Sequence, residues 1–257
     1  MKKRLLFVVI IFIISSVVLS SCNLPNRQSS RAQMPIALNT TFPKSTPTPM
    51  SLCGNTYFPN KVGDKWEYSG TNSFIGNYTR TDSITSSSDV TFTQDTTLAG
   101  VMYSVPYDCS STGITSTNPV QQYAGALLNS PNTPVNINLT SNTGTSLPSK
   151  INPGDSWQQT ADFEATSPQL NVNGRFVFEY TAVGIEDVTV SAGNYHALRV
   201  DCTIRIEVTG LHILAGTFTT TTWLAPGIGV IKTEGTSHIT GVDFTDNMQL
   251  TSFTLTP

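Results

Sequence analysis

The sequence predicts an all-β, antiparallel fold, and three observations predict it. Beyond Tyr57, no stretch of ten or more residues combines apolar spacing at i, i+3, i+4 and i+7 with freedom from Gly and Pro; the nearest, Val120, Tyr123, Ala124, Leu127 and Leu128, is interrupted by Gly125. Period-two alternation in Thr, Val, Ile, Tyr and Phe recurs instead, punctuated by Gly, Asn, Pro and Ser. It is cleanest over 200–208, where Val200, Cys202, Ile204, Ile206 and Val208 form an apolar face and Asp201, Thr203, Arg205 and Glu207 a polar one. Phe176, Phe178 and Tyr180 make a second apolar face opposed by Arg175 and Glu179, so the sheet has one wet side.

The chain of 257 residues is divided before this body begins. Met1 to Arg4 is basic and Leu5 to Val18 is apolar apart from Ser15 and Ser16, which reads as a signal peptide over 1–21. Leu19-Ser20-Ser21-Cys22 resembles the bacterial lipobox. That resemblance implies that the Cys22 sulfur takes a diacylglyceryl group and that the cut falls before it, leaving acyl chains such as palmitate to hold the protein in a membrane. Residues 22–52 follow as the lipidated cysteine and a flexible tether rich in Asn, Gln, Ser, Thr and Pro, with a reach of roughly 30 Å. The extracytoplasmic β-domain is expected over 53–257, placing the protein at the cell membrane, lipid-anchored and facing outward.

Charge follows the same division. All 17 acidic residues lie beyond residue 60, with 8 basic ones, so the body carries a formal charge of −9 against +6 on the arm. A surface of that sign has no electrostatic footprint for a phosphate backbone, which excludes nucleic acid as a partner.

The body echoes itself at an offset of about ninety residues. Phe58-Pro59, Lys61 and Gly63-Asp64-Lys65-Trp66 return as Leu147-Pro148, Lys150 and Gly154-Asp155-Ser156-Trp157, and Ala99-Gly100 with Asp108-Cys109 returns as Ala192-Gly193 with Asp201-Cys202. The order is kept, which suggests two duplicated halves. In each Gly-Asp-x-Trp the Gly permits a positive φ, the Asp bonds the turn backbone and the Trp anchors the next strand.

Tyr57-Phe58-Pro59 leading to Gly63-Asp64-Lys65-Trp66, then 188–195 (VTVSAGNY), then 223–232 (WLAPGIGVIK) resemble a group of uncharacterised bacterial lipoproteins. That group is similar in turn to the lipoprotein-localisation-factor fold. The resemblance implies a strongly curved sheet or half-barrel whose concave side holds acyl chains, and it transfers no functional residue.

Chemistry is sparse. Gly-x-Ser-x-Gly is absent, and His196, His212 and His238 show no metal spacing. Asp243 and Asp246-Asn247 do not complete a calcium loop, and Asp64 and Asp155 read as turn caps before they read as a glycosidase pair. No catalytic residue, cofactor or metal is therefore expected. Of the three body cysteines, the inward position of Cys202 leaves Cys53 and Cys109 as the expected disulfide, with Cys109 to Cys202 as the rival. Trp66, Trp157 and Trp223 are the candidate ligand-binding residues. The expected function is a membrane-anchored module that binds an apolar or glycan ligand, with a structural or protein-interaction role in the envelope as the alternative.

Overall fold

A computed structural model describes residues 51–73, 75–119, 136–167, 170–209, 216–239 and 242–257. The signal peptide, Cys22, most of the tether, the 120–128 segment and His212 lie outside the described residues. The strands are β1 (Lys65–Asn72), β2 (Gly76–Ser87), β3 (Thr91–Leu98), β4 (Val101–Ser110), β5 (Gly113–Ser116), β6 (Asn136–Gly144), β7 (Leu147–Pro148), β8 (Ser156–Ser167), β9 (Leu170–Val190), β10 (Gly193–Thr209), β11 (Gly216–Ala225), β12 (Gly229–Ile239) and β13 (Val242–Thr254). They form a single sheet in the order β6-β8-β9-β10-β11-β12-β13-β1-β2-β3-β4-β5-β7, with antiparallel pairing.

The sheet is strongly curved. In the strand order β5 and β6 stand eleven steps apart, about 50 Å at the usual strand spacing. Yet Asn142 of β6 donates to the Ser116 carbonyl of β5 at 2.9 Å, and Gln159 of β8 donates to the same carbonyl at 3.0 Å. The two ends of the sheet therefore meet. Among the described residues no ladder joins them, so the sheet is not closed into a barrel; side chains bridge the seam, with Ser146 donating to Gln159 at 2.5 Å and accepting from the Ser116 N–H at 2.8 Å. Register shifts in the β1–β13, β9–β10 and β11–β12 pairs bend the strands toward this closure.

The inner face is the core. Val200, Cys202, Ile204 and Ile206 are buried on β10, while Arg199 and Arg205 face outward with Asp201 and Glu179 as partners. On β9 the Phe176, Phe178 and Tyr180 rings stack in sequence, and Trp157 of β8 stacks on Tyr180 at 5.2 Å. Phe58, Phe92 and Tyr107 form a second aromatic group. A disulfide joins Cys53 to Cys109, tying the segment before β1 to β4. Cys202 is buried and free, and burial pushes its thiol up.

The two Gly-Asp-x-Trp turns share one geometry. Gly63 and Gly154 have φ of 96° and 95°. The Asp64 carboxylate accepts from the Lys61 N–H at 2.8 Å, as Asp155 does from the Asn152 N–H at 2.7 Å. Both aspartates are turn caps. The later echoes part company: Ala99-Gly100 leads into β4, the fourth strand from its entry turn, whereas Ala192-Gly193 leads into β10, the third. The repeat is kept in the turn and displaced by one strand beyond it.

Candidate functional site

The three tryptophans do not share a surface. Trp66 is buried at the start of β1 and donates its indole N–H to the Ile228 carbonyl at 2.5 Å. Trp157 stacks on Tyr180 and donates to the Ser146 carbonyl at 3.0 Å, beside the seam. Trp223 lies on the outer face, where its N–H reaches Glu186 at 2.7 Å and the Lys232 ammonium sits 4.6 Å from its ring centre. Each ring is engaged by the protein, so together they line no groove.

Among the described residues, the inner face is closely packed. Tyr57, Phe92, Phe178, Phe218, Leu198, Leu224 and Leu250 are each less than 2% exposed. The polar groups beneath β1, β2, β3 and β13 bind one another: Arg80 to Asp82 at 2.8 Å, Thr96 to Asp82 at 2.8 Å, Tyr78 to Asp246 at 2.9 Å and Asn72 to Asp246 at 3.0 Å. Burial alone would lower the Arg80 guanidinium, but Asp82, together with Tyr103 and Tyr68, more than offsets it and raises the group. Burial, reinforced by Asp246, raises the Tyr78 hydroxyl.

Open space lies on the other side. A cleft of about 890 Å³ runs across the outer face of β12, β13, β1 and β2, within the range of small-ligand sites. Register builds it. Lys232 pairs with Gln249, Gln249 with Ser69 and Ser69 with Thr79, giving one row across four strands, and Asn247, Thr71 and Asn77 form a second row beside it. Ile75 and Ala99 stand at the flanking hairpins, while Gly70, Tyr78 and Met248 complete the lining. Gly70 is required there because an added Cβ would lie 2.2 Å from the Tyr78 ring.

The lining mixes polar and apolar groups. It presents hydroxyls from Ser69, Thr71 and Thr79, amides from Asn77, Asn247 and Gln249, and one charge, Lys232. Thr71 bonds Asn77 at 3.1 Å. Among the described residues, no hydrogen bond engages the side chains of Ser69, Thr79, Asn247 or Gln249. These donors and acceptors stand beside apolar surface from Ile75, Tyr78, Ala99 and Met248, and apolar atoms make up the larger share of the exposed lining.

Sequence reasoning named neither the cleft nor its rows. Lys232 is in view only as the end of the Trp223 motif and Asn247 as a neighbour of Asp246. Alternating polar residues on three strands were visible, but the pairing of β1 with β13, some 180 residues apart, was not. Among the described residues no three His, Cys, Asp or Glu groups cluster as a metal site. His238 and Asp243 pair at 2.5 Å, His196 pairs with Asp187, and all four side chains are exposed.

Residues 121–238 match a family described as DUF3108-like, a span that contains the 188–195 and 223–232 segments. A protein from Bacteroides fragilis, described as exported and of YmcC-like fold, superposes with a TM-score of 0.54 at 15% identity, over 77% of this chain and 99% of its own. A protein from Parabacteroides distasonis, described as a lipoprotein, does so with a TM-score of 0.53 at 14% identity, over 77% and 98%. At these identities the likeness establishes the fold. No curated protein shows significant similarity to the chain.

Proposed function

We propose that the protein is an envelope lipoprotein, anchored outside the cytoplasm through Cys22, whose outer cleft binds a hydroxyl-rich ligand, a glycan, without turning it over. The cleft carries the reading: its amides and hydroxyls suit the paired donor and acceptor groups of sugar rings and its apolar part suits their C–H faces, whereas an acyl chain would use only the apolar part and strand the amides and hydroxyls unpaired. The close packing of the inner face among the described residues supports the same choice, because a lipid carrier of curved-sheet type needs its concave side empty. Export and lipidation in proteins of like fold agree with the basic, apolar and Leu19-Ser20-Ser21-Cys22 segments.

The anchor and the cleft are tested separately. Cys22→Ser should leave an unprocessed precursor without lipid; a variant that still matures and partitions with detergent would sink the anchoring. For the cleft, the full chain is titrated with neutral and acidic oligosaccharides and with palmitate. Saturable heat with a sugar class and none with palmitate is expected. The reverse result would favour a lipid carrier, and no heat with any of them would favour a structural envelope role.

A further inference from the structure

Among the described residues, Lys232 is the one charged residue lining the cleft, and Glu234, in register with Asn247, stands at its edge. We infer, building on the glycan reading above, that the ligand is an acidic sugar whose carboxylate is met by the Lys232 ammonium. Three features of the outer face place that charge. Stacking over Trp223, at 4.6 Å from the ring centre, holds the ammonium at the end of the cleft. Arg199, which pairs with Trp223 in register, does not compete for an anion, because Asp201 holds it at 2.9 Å and 3.0 Å and Glu186 at 3.5 Å. Among the described residues, Lys232 has one acidic partner, Glu234 at 2.7 Å, and both side chains are substantially exposed, 33% and 48%.

An exposed ion pair of that kind is weakly held. A ligand carboxylate can therefore take the place of Glu234 at the ammonium, while the neighbouring amides of Gln249 and Asn247 receive the ring hydroxyls. The rest of the body carries a charge of −9 and repels anions at a distance. Recognition of an acidic ligand thus depends on this one local cation.

The full chain is titrated with oligogalacturonate and with a cello-oligosaccharide of equal length as the neutral match. The acidic sugar is expected to bind roughly tenfold more tightly at low salt, and the preference should shrink as salt rises. Lys232→Gln should bring it down to the neutral affinity, and Glu234→Gln should strengthen it. Trp223 fluorescence should respond to the acidic sugar, and Trp223→Phe should remove that response. Equal affinities for the two sugars in the unmodified chain, or a preference that survives Lys232→Gln, would overturn the inference and leave the glycan reading standing. Should Lys232→Gln fail to fold, Glu234→Gln decides alone: an unchanged or weaker preference overturns it. If neither sugar binds the unmodified chain, the glycan reading falls and this inference with it.

Discussion

Where β12, β13, β1 and β2 run side by side, one sheet presents two opposite solutions to its polar residues. On the inner side Asn72, Tyr78, Arg80, Asp82 and Asp246 are buried and bonded among themselves, with Thr96 of the adjoining β3 bonded to Asp82. On the outer side Ser69, Thr79, Asn247 and Gln249 face a cleft with no protein partner among the described residues. The strands are the same and only the parity of the residue number differs. The difference teaches how to sort polar residues in such a fold: those that satisfy each other hold the sheet, and those left unsatisfied at a concavity are available to something else.

The sharpest way to stress the inner side is alkali. Burial raises Tyr68, Tyr78, Tyr180 and the Cys202 thiol above their ordinary values of 10.0 for tyrosine and 9.0 for cysteine. A group raised in the folded state contributes its stability fully below its unfolded value and loses it as pH rises through the window above. Stability should hold on the neutral side, start to fall near pH 9 with the thiol and fall steeply past pH 10 with the tyrosines. Denaturant midpoints against pH measure this, and a flat profile to pH 11 or so would contradict the burial of these groups.

Next in size is Asp82→Ala, which strands the Arg80 guanidinium and the Thr96 hydroxyl inside the sheet. A loss of about 3 to 5 kcal/mol is expected by chemical denaturation.

A smaller effect divides the two entry turns. Asp64 is 1% exposed and its second oxygen accepts from the Thr256 N–H at 2.7 Å, fastening the C-terminal segment, whereas Asp155 is exposed. Asp64→Ala should cost about 2 kcal/mol and Asp155→Ala less than about 1. Equal costs would mean that the turn alone matters and burial adds nothing.

Smallest of all is the outer side. Asn247→Ala and Gln249→Ala should leave stability within about 0.5 kcal/mol while weakening sugar binding. A large loss of stability in either would place these amides among the residues that hold the sheet.

How far these sides were readable depended on distance along the chain. Alternation in β10 gives the inward face of Val200, Cys202, Ile204 and Ile206 from neighbouring letters alone, and with it the free, buried Cys202. The entry turns were equally local, since Gly63 and Asp64 act within three residues of each other. The meeting of Asn142 and Gln159 with Ser116 was not readable, because it follows from curvature accumulated over the whole sheet. The tryptophans misled for a related reason: large rings suggest a groove, but the sequence does not say that Glu186 and Lys232 cover Trp223 while backbone carbonyls take the other two indoles. The cleft needed the register of β12, β13 and β1 together.

Ligand is expected in the outer cleft and not inside the sheet. The most direct measurement is a residue-resolved map of backbone amide chemical shifts in the full chain, taken with oligogalacturonate, with a cello-oligosaccharide and with palmitate. Sugar-dependent shifts confined to Ser69, Thr79, Asn247, Gln249 and their neighbours, with no response to palmitate, are the predicted result. Palmitate-dependent shifts at Phe178, Cys202 and Ile204, with the outer rows silent, would contradict the account.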